Sequence, residues 1–242
     1  MPDPKLFVFF SLILILTLEI AGGHLKGFWS YCRSLSPKPF LLLLGASLLA
    51  AAAFMPFDES LRYLFRAYDP AFKESAIIRF FGFFGKYYGS WPILIGFYLI
   101  SFILRQEPLK RMGFWALTSS GASSLVAHLI KHVFLRARPY KELGPWSFFD
   151  LHGFLADDRA FQSFPSGDVA VVAGATGYFF FACRNPFLRG LCLLIPIGTA
   201  IARVSLNKHW PSDTVFSIGL SLIVAKVFWD FQKSKSLNPS RV

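Results

Sequence analysis

Charged residues are scarce in this chain. They make up 16% of its 242 residues, whereas hydrophobic residues make up 54%. A soluble domain usually carries about 25% charged residues, so an ordinary water-exposed surface is not expected. The apolar residues fall in long runs with the charges between them, which is typical of a helical protein that crosses a membrane several times. The length favours one helical bundle over two domains.

Cysteine is scarce as well. Cys32, Cys183 and Cys192 occur at span ends or in a loop, without a CxxC pair or a Cys/His spacing that would bind zinc. An odd number of cysteines without such a motif gives no support for a disulfide framework. The cysteines give no support for a metal site either, and no cofactor is expected.

Acidic residues are outnumbered: 14 Asp and Glu stand against 25 Lys and Arg, which gives a formal net charge of +11. In a soluble protein this excess would favour nucleic acid as a partner. Here the basic residues flank apolar spans, so the lipid bilayer and a phosphorylated membrane lipid are the better candidates. No nucleic-acid partner is expected, and no pattern indicates an obligate protein partner.

Seven apolar segments predict seven membrane helices. They are Leu6–Ala21, Phe40–Phe54, Tyr87–Leu104, Met112–Leu135, Asp168–Cys183, Leu191–Leu206 and Thr214–Phe231. We interpret the first as an uncleaved helix, because Asp3 and Lys5 cancel where a signal peptide would have a basic region. Residues 1–38 are thus predicted to form an N-terminal membrane helix with a basic loop, and residues 39–242 the main helical domain.

The connection between the second and third spans, residues 56–86, mixes aromatic and basic residues. Such a segment is typical of an amphipathic helix that anchors at the membrane surface. Because this segment adds basic residues to one side of the membrane, the total numbers of Lys and Arg on the two sides do not decide the orientation of the protein. The short loops, where the positive-inside rule works best, favour a topology in which the span ends after His132 and Val204 face outside.

Three clusters of polar residues occur at span ends. In the first, Lys131 and Arg138 are seven residues apart, so both project from one helical face with about 10 Å between them along the axis. Pro139 then disfavours helix and releases the chain into a loop. Two such cations suit a polyanion. Taken alone, they are equally typical of basic residues that extend to the membrane interface.

The second cluster is Pro165-Ser166-Gly167-Asp168, directly before an apolar helix. Proline suits a first helical turn, and glycine allows the backbone to approach a ligand closely. The free N–H groups of that turn, together with the Ser166 hydroxyl, can form an anion cradle. Alone, the pattern indicates only the start of a helix.

The third cluster joins the last two spans and contains Arg203, His209 and Asp213. Pro211 and Ser212 predict the start of the final helix, which puts His209 just before it and Asp213 in its first turn. A histidine followed four residues later by an aspartate can form an oriented imidazole–carboxylate pair. If the spans alternate, all three clusters share one side of the membrane and supply what phosphoryl binding and in-line attack require.

In order and spacing, the three clusters resemble the motifs of the type 2 phosphatidic acid phosphatase (PAP2) superfamily, K-x6-RP, PSGH and SR-x5-H-x3-D. The resemblance covers about Phe40 to Phe231. It implies an all-α membrane bundle with a six-helix core, to which the N-terminal helix would be an addition. It also implies a metal-independent lipid phosphatase, with residues 39–242 as its catalytic domain.

By the same resemblance, each motif residue has an expected role. His209 would be the nucleophile, and Asp213 would orient it. The phosphate would be bound by residues from all three motifs, namely Lys131, Arg138, Ser166, Gly167 and Arg203.

Two positions depart from the family pattern. Ala202 replaces a serine, which would remove one hydrogen bond. Asp168 replaces the histidine that protonates the leaving group in the family, and an ordinary aspartic acid has a pKa of about 3.9. Asp168 could still be the catalytic acid if burial raises its pKa. Otherwise His152 supplies the proton, the leaving group needs little protonation, or the protein is impaired.

The loop that ends in Ser163-Phe164-Pro165-Ser166-Gly167-Asp168 is similar to that of bacterial lipid A phosphatases. This similarity makes lipid A the first expected substrate, with undecaprenyl pyrophosphate and phosphatidylglycerol phosphate as alternatives. It also implies a multi-pass protein of the bacterial inner membrane whose active site faces the periplasm. A lipid phosphotransferase would use the same residues, and a degraded member that only binds anionic lipids is a third possibility.

Overall fold

The computed structural model describes residues 24–67, 75–150 and 159–237. Within these ranges the chain is helical and contains no strand, which confirms the all-α prediction. The helices are α1 (His24–Ser34), α2 (Pro37–Phe54), α3 (Asp58–Ala67), α4 (Ala76–Phe84), α5 (Tyr87–Ile103), α6 (Glu107–Phe134), α7 (Gly167–Ala182), α8 (Pro186–Ser205) and α9 (Pro211–Leu237). Short 3-10 turns occur at Met55–Phe57, Pro139–Lys141 and Arg159–Phe161.

The predicted spans coincide with helices wherever the structure describes them. By length and composition, the segments Pro37–Phe65, Pro186–Ser205 and Pro211–Ser234 can cross a membrane, and Tyr87–Ile103 and Gly167–Ala182 are shorter apolar helices. The first predicted span, Leu6–Ala21, lies outside the described residues. Apolar side chains cover much of the outer surface of these helices, as expected of a bundle whose solvent is lipid.

Helix α7 lies at the centre of the bundle and packs against α6, α8 and α9. Gly174 makes the approach to α6 possible, because a Cβ there would lie 2.6 Å from Ser123 Oγ and 2.7 Å from the Ser119 carbonyl oxygen. At this close contact Ser119 donates a hydrogen bond to the Gly174 carbonyl (2.8 Å), and Ser120 donates one to that of Val171 (2.7 Å). Small and hydroxylated residues commonly bring membrane helices this close.

The connection that was predicted to lie on the membrane surface contains two short helices, α3 and α4, with residues 68–74 outside the described part. Asp58 and Arg62 of α3 point inward and are buried, with 0% and 3% of their surface exposed. This segment is therefore more than a surface anchor. It brings charged side chains to the end of the bundle where α6 and α8 finish and α7 and α9 begin.

Candidate active site

The first two polar clusters meet where α6 ends and α7 begins. Lys131 lies in the last turn of α6 and is buried. Its Nζ donates a hydrogen bond to the Gln162 carbonyl (2.7 Å), in the loop that leads into α7. A Cβ on Gly167 would lie 3.6 Å from Cε of Lys131. The ammonium group is thus held next to the first turn of α7.

The third cluster joins them from the loop between α8 and α9. Nδ1 of His209 is 2.8 Å from the Ser163 carbonyl oxygen, just ahead of α7. Nε of Arg203 is 3.0 Å from Oδ2 of Asp168, in the first turn of α7. The three clusters, which are far apart in sequence, therefore meet at one end of the bundle, as the alternation of the spans predicted.

The contacts of His209 determine which of its nitrogens is free to react. A carbonyl oxygen can only accept a hydrogen bond, so the contact with Ser163 requires Nδ1 to carry the proton. Oδ2 of Asp213 lies 3.6 Å from the same nitrogen and favours this tautomer. Nε2 therefore retains its lone pair, which is the form required of a nucleophile.

The environment of His209 keeps the imidazole neutral. The side chain is 3% exposed. Burial lowers the pKa of His209 to about 4, and the positive charges of Lys131 and Arg138 act in the same direction, while Asp213 opposes them. At neutral pH the lone pair on Nε2 is available without prior loss of a proton.

This shift can be measured. An ordinary imidazole is half protonated at about pH 6.5. Because the pKa of His209 is lowered, its ring should stay neutral as the pH falls and become half protonated only near pH 4. We expect ring resonances of isotope-labelled histidine to show one group titrating at this low pH, assigned by its loss in a His209→Gln variant. A midpoint near 6.5 for the His209 resonance would contradict the assignment of a buried neutral nucleophile.

Asp213 is held in place by three hydrogen bonds and is itself fully buried. Arg136 Nη1 donates to Oδ1 (2.5 Å). Ser163 Oγ (2.5 Å) and the Trp210 amide (2.8 Å) both donate to Oδ2. With its lone pairs engaged in this way, the carboxylate has one orientation toward His209.

Behind Asp213 lies a second buried carboxylate. Arg136 Nη2 donates to Oδ2 of Asp58 (2.7 Å), so a single guanidinium bridges two acids that are both 0% exposed. Asp58 also accepts from the backbone amide (2.8 Å) and the hydroxyl (2.6 Å) of Ser212, at the start of α9. The network fixes the beginning of α9, and hence Asp213, relative to α3.

Sequence reasoning missed Arg136, Asp58 and Arg62. Arg62 donates to the Asn207 side chain (2.8 Å), and its guanidinium lies 5.4 Å from the centre of the Trp210 ring, so it braces the loop that carries His209. One signal was available: Asp58 and Arg62 are four residues apart and share a helix face. No local pattern identifies their partners in the site, because these lie 78 to 154 residues away.

The remaining predicted anion ligands lie around the start of α7. Arg138 Nε donates to the Arg159 carbonyl (2.8 Å), and Arg203 Nη2 donates to the Gly82 carbonyl of α4.

The amide of Ser166 donates to Ser217 Oγ (2.8 Å). Oγ of Ser166 is buried and has no hydrogen-bond partner among the described residues. The proposed accessory acid, His152, lies outside the described residues.

The site thus combines a buried imidazole, a helix N-terminus, and guanidinium and ammonium groups from α6, α8 and the loop after α6. Such groups bind a phosphate, and their charge stabilises the transition state of its transfer. In the described ranges, no group of three His, Cys, Asp or Glu side chains could hold a metal ion. Together with the apolar bundle, the arrangement defines the class of protein: a membrane protein with a site for phosphoryl groups.

Comparison with known proteins identifies the family. Residues 113–236 match the model of the PAP2 superfamily, and the chain belongs to that family. No curated protein sequence matches it. The fold is similar to the crystal structure of a transmembrane PAP2-type phosphatidylglycerolphosphate phosphatase from Bacillus subtilis. That similarity has a TM-score of 0.60 at 21% identity and covers 82% of this chain and 98% of the other. The protein is accordingly a phosphatase of a membrane lipid.

Proposed function

We propose that this protein removes a phosphate group from a membrane lipid through a phosphohistidine on His209, without a metal ion. The observation that carries the proposal is the hydrogen bond from His209 Nδ1 to the Ser163 carbonyl, because it leaves the Nε2 lone pair unprotonated. The binding cations are Lys131, Arg138 and Arg203, helped by Ser166 and the Gly167 amide.

The proposed reaction has two steps. Nε2 of His209 attacks phosphorus in line, the P–N bond forms, and the bond to the lipid oxygen breaks with its electron pair on that oxygen. The imidazole, still protonated on Nδ1, becomes positively charged, and the Asp213 carboxylate at 3.6 Å stabilises that charge. Water then attacks the phosphoryl group, the P–N bond breaks, and neutral His209 and inorganic phosphate are released.

For the substrate, we propose lipid A first, on the similarity of the loop before α7 to that of bacterial lipid A phosphatases. Phosphatidylglycerol phosphate is the second candidate, since the B. subtilis structure with the same fold is named for that activity. Undecaprenyl pyrophosphate is a third. We also propose a multi-pass location in the bacterial inner membrane with the site on the periplasmic side, because the short loops favour that orientation.

A substrate panel tests the proposal. Purified protein in detergent is presented with lipid A, phosphatidylglycerol phosphate, phosphatidic acid and undecaprenyl pyrophosphate, and released inorganic phosphate is measured. We expect release from at least one lipid, with lipid A turned over fastest, and none above background from the His209→Ala variant. If the wild type releases nothing from any lipid, hydrolysis is wrong. Phosphate that appears on a second lipid instead of in water would make the protein a phosphotransferase.

A further inference from the structure

Asp168 occupies the position at which the family resemblance predicts a proton-donating histidine, and it lies among positively charged side chains. Oδ2 lies 3.0 Å from Nε of Arg203, whose side chain is only 5% exposed. Asp168 also interacts electrostatically with Lys131 and Arg138. The acid is thus surrounded by the cations that are proposed to bind the phosphate.

The position of Asp168 on its helix adds to this effect. It is the second residue of α7, after the N-cap Ser166 and Gly167. The first turn of a helix carries a partial positive charge, which stabilises an ionised carboxylate there. A guanidinium in contact and a helix N-terminus therefore both place positive charge beside this carboxylate.

We propose that Asp168 determines specificity as a counter-ion of Arg203, and that the site therefore cleaves lipid phosphates whose leaving oxygen is weakly basic. This inference rests on the proposed phosphohistidine reaction of His209. The chemical class is a lipid diphosphate, or a phosphate attached to the anomeric oxygen of a glycolipid. Phosphates of simple alcohols are disfavoured.

For this class of substrate, the leaving oxygen can depart without a proton from a general acid. As the P–N bond to His209 forms, the electron pair of the P–O bond stays on the leaving oxygen. A departing phosphate or anomeric oxyanion carries that pair as a comparatively stable anion, and solvent protonates it after release. An alkoxide is a much stronger base, and general acid catalysis typically contributes about 100- to 10,000-fold when such a group departs. Without a proton donor at position 168, this rate enhancement is lost for alkyl phosphates.

Asp168 also competes with the substrate. The Nε donor of Arg203 has no aligned hydrogen-bond acceptor among the described residues, although the Asp168 carboxylate lies beside it. A phosphate that binds Arg203 must therefore approach a carboxylate of like charge. Removing that charge in the isosteric variant Asp168→Asn should lower KM several-fold for all substrates.

The test is a leaving-group series of soluble phosphate monoesters, from nitrophenyl phosphate to a simple alkyl phosphate, with farnesyl diphosphate and farnesyl phosphate as a matched lipid pair. kcat/KM is measured for the wild type, Asp168→Asn and Asp168→His. We expect kcat/KM to be about 100-fold or more higher for nitrophenyl phosphate than for the alkyl ester in both the wild type and Asp168→Asn. The lower KM of Asp168→Asn should raise its values by the same several-fold factor for every substrate. The diphosphate should likewise exceed the monophosphate. In Asp168→His, the alkyl ester should gain about 10-fold or more.

Glu107→Gln is the control for loss of an acidic charge. Glu107 pairs with Lys110 (2.6 Å) at the start of α6, the opposite end of the helix from Lys131. The kcat/KM values of Glu107→Gln should therefore equal those of the wild type for every substrate in the series. If Asp168→Asn selectively loses the alkyl ester and keeps nitrophenyl phosphate, Asp168 is the acid and the inference is overturned. If the wild type hydrolyses no compound at all, the proposed phosphatase reaction itself fails, which is a different result.

Discussion

Replacing His209 with glutamine is expected to lower turnover by about 10,000-fold or more, because the side chain that would form the covalent bond to phosphorus is lost. Glutamine keeps a polar group of similar length, so the buried loop before α9 can retain its shape. KM should change little, since the proposed binding cations remain in place. Release of inorganic phosphate from the best substrate of the panel gives both constants.

His132→Gln is the matched control for this variant. His132 is exposed at the end of α6, and its Nδ1 lies 2.9 Å from the His128 carbonyl oxygen. Its replacement should leave turnover within about two-fold of the wild type, as is usual for surface substitutions. Equal activity of His209→Gln and His132→Gln would remove His209 from the reaction.

The second large effect is expected at Arg136. Its guanidinium bridges the buried carboxylates of Asp58 and Asp213, and removal of one partner of a buried ion pair typically costs about 3–5 kcal/mol of stability. Arg136→Ala should therefore unfold at markedly lower temperature. Arg136→Lys retains the charge but cannot present two parallel donors to separate acids.

Arg136→Lys separates the positioning role from the structural one. We expect it to remain folded while kcat falls by about 100-fold and KM stays nearly constant, because displacing Asp213 by about 1 Å misorients His209. The control is Arg189→Lys, since that arginine lies over the Phe180 ring (4.3 Å) at the start of α8, away from the site. If Arg136→Lys keeps kcat within about two-fold, the bridge is not needed to position Asp213.

The spans and the motif residues could be predicted because each depends on local sequence. A helix in lipid must satisfy its backbone groups internally, so long apolar runs identify the spans directly. Lys131 follows from its place at one span end, and His209 and Asp213 from the turn before α9. The predicted helical spacing of Lys131 and Arg138 was wrong, because α6 ends at Phe134 and Arg138 lies in the extended loop beyond it. Their convergence was predicted from alternating spans alone, and the structure brings them together. Their catalytic roles stay predictions.

The supporting residues could not be predicted because they depend on how the helices pack. Asp58 lies 78 residues from Arg136 and 154 from Ser212, and no local pattern connects them. Asp58 also lies before residue 113, where the match to the family model begins. A single sequence shows Asp168 at the start of a helix, but its contact with Arg203 appears only in the folded chain.

The covalent step can be observed by trapping it. Protein mixed with a radiolabelled lipid phosphate and quenched in base during turnover should carry label that survives alkali and is lost in acid, as expected for a phosphate on nitrogen. The label should map to the peptide that contains His209 and be absent from His209→Gln. Acid-stable label, or label on another residue, would contradict a phosphohistidine on His209, as would rapid turnover with no labelled protein at any quench time.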